Sequence, residues 1–258
     1  MSQQASSQQD QAHRFLAAPE IFLVALAAPL LVQIIFLITD RNVLESSYSV
    51  FLFMVTEATL TLILIVCCLH FRGETLMQLG WVWRNIRTES GLGIVCVPFL
   101  FFSTMCVNIF FHAFYPEYVS TTNPLLDLVD EPNDLTLFLI SSVYVGGIKE
   151  EIQRAFVLDR FERYLGPMLL RPFLYFTNRP NCNDKAMGRR LGVVLGLVLW
   201  SIFFAIGHAV QGFDRAVGAG ILGLLFGAFY LWRRNLIAPM VAHALFDVTT
   251  LLVVWFFY

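Results

Sequence analysis

The sequence predicts an all-α polytopic membrane bundle of about seven (seven or eight) transmembrane helices, and three observations carry that expectation. Hydrophobic residues make up 57% of the 258 positions and charged residues only 14%, a balance far from that of a soluble domain. The apolar residues fall into runs of about 20, the length that an about 30 Å hydrocarbon core demands of a helix. The charges left over sit between the runs, basic at one set of connections and acidic at the other. The net charge of -2 and the dispersal of the basic residues give no footing for nucleic-acid binding.

The first 20 residues are a polar, Gln- and Ser-rich tail expected in the cytoplasm. No basic cluster precedes the first apolar run, so no cleaved signal peptide is expected. Spans follow at 21–39 and 48–70; the second contains Glu57, an intramembrane acid read as a structural hydrogen-bonding group. Arg72, Arg84 and Arg87 with Trp81 and Trp83 mark an interfacial connection before the span 91–113. The connection 114–134 holds Glu117, Asp127, Asp130, Glu131 and Asp134 with no Lys or Arg, and its prolines break helix. It is expected on the extracytoplasmic side.

A long helix is expected over 135–163, followed by Arg163, Arg171, Arg179, Lys185, Arg189 and Arg190. Spans at 191–210, 216–232 and 236–257 complete the set, with Arg233-Arg234 between the last two. By the positive-inside rule the basic connections and the N-terminus are cytoplasmic. The division is 1–20 tail, 21–134 N-terminal helices and 135–258 catalytic core, all within one membrane domain. Cys67, Cys68, Cys96, Cys106 and Cys182 lack the spacing of a metal cage and read as small membrane-core residues. Gly218-x-Gly220-x-x-Gly223 matches a dinucleotide fingerprint in letters only, since no strand precedes it. Gly192-x-x-x-Gly196 and Gly223-x-x-x-Gly227 read as close-packing faces between helices.

Three polar islands interrupt the apolar second half: Glu150-Glu151-x-x-Arg154, Phe204-x-x-x-His208 and His243-x-x-x-Asp247. Residues four apart share a helix face, so three such faces can enclose one pocket. A carboxylate beside an imidazole can take a proton from water, and a second imidazole can donate to a developing oxyanion. Singly, each island is as well read as an ion pair or a satisfied interface histidine. Together, two acids and two histidines are costly in a membrane and point to a task.

In this order the islands resemble the motifs of the CPBP family, the CAAX prenyl endopeptidases and bacteriocin-processing intramembrane proteases: a di-glutamate, Phe-x-x-x-His, then His-x-x-x-Asn or Asp. The stretch from Gly223 to His243 resembles the family's last motif region, so the likeness covers roughly 135–257. It implies a glutamate-dependent, metal-free endopeptidase of the bacterial inner membrane, acting on a peptide or protein substrate in or at the lipid bilayer. Glu150 and His208 would activate water, Glu151 would support the site, and His243 with Asp247 would stabilise the oxyanion, with Arg154 and Phe204 supporting. Zinc is the alternative cofactor, though no His-Glu-x-x-His spacing is present.

Two departures stand out. The family's Arg follows four residues after the second Glu, where this chain has Ala155, so Arg154 can reach Glu150 or Glu151 and the sequence leaves open which is the base. Asp247 occupies a position where Asn is frequent, which keeps in play a non-catalytic scaffold or bacteriocin-immunity-type protein that uses the same pocket for binding. Counting along the helices places Glu150 and His243 roughly 12 Å from the cytoplasmic boundary but His208 roughly 22 Å. The pocket is expected to open to the cytoplasm.

Overall fold

The computed structural model describes residues 15–170 and 184–257, so Arg171, Arg179, Cys182 and most of the polar tail lie outside the described residues. Seven long helices alternate in direction: α1 Phe15–Ile38, α2 Ser47–Phe71, α3 Ile86–Phe114, α4 over 132–170, α5 Asp184–Gly207, α6 Phe213–Arg233 and α7 Ile237–Phe257. No strand occurs among the described residues. Six of the seven are long and apolar enough to cross a membrane; α4 is the exception because Lys149, Glu150, Glu151, Arg154, Asp159 and Arg160 lie along it. With the loop charges this defines an integral membrane bundle.

Most helices extend past the apolar stretch that announced them at one end or both, because polar ends stay helical outside the hydrocarbon. Ser46 caps α2 by accepting from the Ser49 amide at 3.2 Å. The prolines of the acidic connection confine it to two short turns, Pro116–Tyr118 and Leu126–Leu128. α4 then starts on Pro132 with a reciprocal cap between Glu131 and Asp134. The Ser47 hydroxyl, together with the Glu131 amide, holds the Asp134 carboxyl below its ordinary range and ties the start of α4 to the start of α2. α5 ends at Gly207, three residues before the apolar run does, because Gly212 at φ +119° turns the chain back.

Contacts between loops sort the helix ends into two faces. At one, Arg72 and Arg160 share Glu20, Arg160 also binds Glu74, Arg234 binds Glu162, and Arg233 binds Glu89. At the other, Asp214 accepts from the Ser120 amide at 3.2 Å and Arg215 donates to the Thr122 carbonyl at 2.6 Å. These are the basic-loop and acidic-loop faces respectively.

α4 is the central helix. Its first half, 132–150, lies between α2 and α7, and its second half, 151–165, packs against α5. Glycines set the distances. A Cβ on Gly147 would lie 2.8 Å from the Ala244 Cβ of α7, and Gly192 of α5 sits against the Phe161 carbonyl. Gly223 of α6 lies against Ser201 of α5, and Gly227 against Leu197. Both spaced-glycine pairs are thus contact faces between helices. The main apolar core gathers Val24, Ile65, Leu79, Phe156, Leu158, Trp200 and Tyr230 around the second half of α4.

α4 is also irregular. Ser142–Glu150 and Phe161–Leu165 are π-helical, wider than the α-helix of Glu151–Arg160 between them. Such turns are rare and recur at functional sites.

Arg160 closes the basic-loop end of the core. Its side chain is fully buried, reaches Glu20, Glu74 and Asp159 at 2.8, 2.7 and 2.8 Å, and lies over the Phe156 ring. Arg160→Met removes the cation and leaves its three acids short of a partner, which is expected to destabilise the bundle by about 3–5 kcal/mol. Thermal unfolding of the purified protein in detergent tests this; an unchanged midpoint would contradict it.

Candidate active site

The three polar islands converge at the middle of the bundle. Glu151 is wholly buried on α4, where the α-helix resumes after the π-helical stretch. Its Oε1 receives two donors, the Arg154 guanidinium from its own helix and His243 Nδ1 from α7, the latter at 2.7 Å. Glu151 is bound to a permanent cation and acts as an acceptor, so Nδ1 of His243 carries a proton. Its Nε2 points the other way, 3.7 Å from Glu150 Oε2 and 3.6 Å from Asp247 Oδ2. Those separations are longer than a hydrogen bond.

The shifted arginine therefore selects its carboxylate. Arg154 pairs with Glu151, three residues before it, and not with Glu150. Its guanidinium lies over the rings of Phe204 and Phe226, 5.2 and 5.4 Å from their centroids. Two aromatic faces are a fitting wall for a buried cation. Phe226 also stacks on His243 with centroids 4.4 Å apart, fixing the plane of that imidazole.

Gly146 completes the floor, because a Cβ there would run into Asp247 Oδ2 and approach His243 Nε2 to 3.4 Å. The bare backbone lets Asp247 come within reach of the same nitrogen as Glu150. Exposure rises across the group: the side chains of Glu151, His243, Glu150 and Asp247 are 0%, 6%, 18% and 30% exposed. Every residue from Glu151 to Arg160 is buried. The more exposed pair, Glu150 and Asp247, thus lies on the acidic-loop side of Glu151 and His243 along α4 and α7. The reason is that α1, α2, α5 and α6 close around the second half of α4, whereas its first half touches chiefly α2 and α7.

His208 stands one ring away. It follows the last residue of α5, its Nδ1 bonds the Phe204 carbonyl at 2.8 Å, and its ring packs 4.4 Å from that of Phe204. A carbonyl only accepts, so Nδ1 donates and Nε2 is the free nitrogen. Phe204 in turn lies 6.2 Å from the His243 ring. His208 forms no ion pair with Glu150 or Glu151; Phe204 separates it from the carboxylates.

Register narrows the difference in depth and leaves His208 the deeper group. α4 and α5 are antiparallel and meet at Phe161 and Gly192. Counted from that contact at 1.5 Å per residue, Glu150 lies about 17 Å along, Phe204 about 18 Å and His208 about 24 Å. α5 begins deep among the basic loops, at Asp184, which brings Phe204 level with Glu150 and leaves His208 one turn beyond.

Lys149 is the residue that sequence reasoning passed over. It is buried beside the two glutamates and pairs with Glu57 of α2 at 2.9 Å, while Thr61 donates to the other Glu57 oxygen at 3.0 Å. The signal was present: two opposite charges in separate apolar runs each require a partner. Among the described residues no group of three or more His, Cys, Asp or Glu side chains is placed to hold a metal ion.

This is an all-α membrane protein whose core buries an Arg-Glu-His chain under a pair of partly exposed carboxylates. Residues 132–249 match the family model described as type II CAAX prenyl endopeptidase Rce1-like, the CPBP family that the motifs resemble. The match spans α4 to α7, the helices that supply all three islands, and leaves out α1 to α3. Comparison with the curated proteins and with the solved structures finds no match.

The two glutamates are predicted to behave differently. Glu151→Gln leaves Arg154 buried without its counter-charge and is expected to cost about 3–5 kcal/mol, whereas Glu150→Gln, at a partly exposed carboxylate, is expected to stay within about 0.5 kcal/mol. Paired unfolding curves decide it, and equal stability of the two variants would contradict the arrangement.

Proposed function

We propose that the chain is an intramembrane endopeptidase that hydrolyses a peptide bond of a membrane-associated or lipidated protein with Glu150 as general base. The observation that carries the proposal is the unequal environment of the two glutamates: Glu151 is occupied by Arg154 and His243, while Glu150 is partly exposed with an imidazole nitrogen 3.7 Å away. Two polar atoms at that separation can hydrogen-bond the same water. The family match of 132–249 supports the reaction class.

In this reading Glu150 takes a proton from that water as its oxygen attacks the scissile carbonyl carbon. His243, with Nδ1–H fixed on Glu151, donates from a protonated Nε2 to the developing oxyanion. Asp247 orients that ring from beyond Gly146. The tetrahedral intermediate collapses with cleavage of the C–N bond, and Glu150 returns the proton to the leaving amine. His208 stands beyond Phe204, its Nδ1 on the Phe204 carbonyl, and takes no step in this account. The reaction needs no metal on this account. The substrate meets the site from its exposed edge. The basic loops put the N-terminus in the cytoplasm, and the bacterial inner membrane is the proposed location.

The test is to incubate the purified protein with a membrane-peptide library, with and without a chelator. Cleavage that survives the chelator is expected; its abolition would favour a zinc mechanism. Glu150→Ala is expected to reduce turnover by about 10²–10⁴-fold, the share usual for a general base, while peptide binding persists. Binding without turnover in the wild-type protein would favour the scaffold or immunity-type reading, which Asp247 in place of Asn keeps alive. Asp247→Asn preserves shape and is expected to retain cleavage within about 10-fold, roughly 1.4 kcal/mol.

A further inference from the structure

We infer that Glu57 of α2 and Lys149 of α4 form a positioning pair for Glu150, so that the site's working parts extend outside the helices the family match covers. The inference rests on the reading of Glu150 as base, and it starts from the backbone beneath that residue.

Glu150 ends the π-helical stretch Ser142–Glu150. A π-turn is wider than an α-turn and is disfavoured alone, so its persistence requires fixation from outside. Two contacts supply it from different directions. Toward α7, Gly146 and Gly147 lie directly against His243, Ala244 and Asp247, and any side chain would collide. Toward α2, the last turn is held by the Lys149–Glu57 pair at 2.9 Å, with Thr61 holding the second carboxylate oxygen at 3.0 Å. The other polar contact with α2 from this stretch is between Tyr144 and Thr59, a turn earlier and exposed at 3.0 Å. Lys149 immediately precedes Glu150, so the angle at which Lys149 meets α2 sets the angle at which Glu150 leaves the helix.

The chemistry suits a directional constraint more than an adhesive one. Replacing a buried ion pair by apolar side chains of like volume is often neutral for stability, so such a pair is weak evidence for a purely stabilising role. A single acid and a single base in otherwise apolar runs define one azimuth between α2 and α4, as a lone polar pair defines register between coiled helices. Lys149 and Glu57 are both nearly buried, 10% and 9% exposed at their side chains, which leaves water little share in the pairing.

The experiment uses the full chain in proteoliposomes. The double variant Glu57→Leu/Lys149→Met keeps volume without charge. It is expected to fold with a wild-type melting midpoint and to lose about 10–100-fold in kcat with KM changed less than about 2-fold, as for loss of an interaction made with the reacting geometry. The exchanged pair Glu57→Lys/Lys149→Glu and the conservative Lys149→Arg are expected to recover kcat to within about 5-fold. A melting midpoint and kcat both at wild-type level in the apolar double variant would overturn the inference, as would equal loss of kcat in the exchanged pair.

A second readout does not depend on catalysis. In a cysteine-free background, Glu150→Cys is labelled with a water-soluble methanethiosulfonate, and adding the apolar double replacement is expected to change the labelling rate by at least about 5-fold. Unchanged labelling would overturn the positioning role even if Glu150 proves to be the base. Changed labelling in a protein that cleaves no peptide would uphold the pair as a setter of orientation and sink the peptidase reading instead.

Discussion

The arrangement depends on one constraint: a charge inside an apolar bundle must be met by its opposite, in reach and in direction. Arg154 is fully buried and cannot shed its proton, so Glu151 must lie against it and remain an acceptor. That acceptor fixes the Nδ1 proton of His243, and the fixed tautomer leaves Nε2 as the nitrogen that faces Glu150 and Asp247. One ion pair thus propagates through three side chains to the edge of the site. Phe204 and Phe226 enforce it by lining the cation with ring faces, so that Arg154 has no alternative partner nearby.

The same rule explains how α1 and α2 are held to the helices that carry the site. Helices α4 to α7 carry the polar islands, but α1 and α2 are fastened to them by two ion pairs, Glu20 to Arg160 and Glu57 to Lys149, and by a hydrogen bond from Gln153 to the Val24 carbonyl at 2.9 Å. In hydrocarbon the hydrophobic effect does not distinguish one helix neighbour from another, so packing and polar contacts choose. Here small residues bring helices close, and single charged pairs choose which helix and which rotation.

Much of the architecture was legible in the sequence, because apolar length and loop charge are strong signals in a membrane protein. Span positions came within a few residues, and the three islands do meet. What escaped were quantities that depend on pitch and register. The α-helical spacing rule applied to Ser142–Glu150 gives the wrong phase because that stretch is π-helical. The count that puts His208 deeper than Glu150 stands; what it could not show is that α5, helical from Asp184, carries Phe204 to the level of Glu150. Which glutamate Arg154 meets could not be read by counting, since Arg154 is one turn from either; the structure pairs it with Glu151 and brings α7 against the same carboxylate. Lys149 escaped because no motif includes it and its partner, Glu57, lies in a separate span.

The change of pitch at residue 150 bears on how such motifs are written. A pattern of fixed letters and gaps presumes a helix of constant winding, so that each gap stands for an angle. In this chain the winding changes between the two glutamates, and angle and gap part company there. Downstream of that junction Glu151 to Arg154 is ordinary α-helix, where positions three and four on both face the carboxylate, so an arginine one place early still reaches it. Insertions and deletions of a single residue upstream of such a junction can be absorbed by widening or tightening one turn, with the site left in phase. Sequences that appear to break the spacing are therefore better compared by the azimuth of each side chain than by its ordinal place.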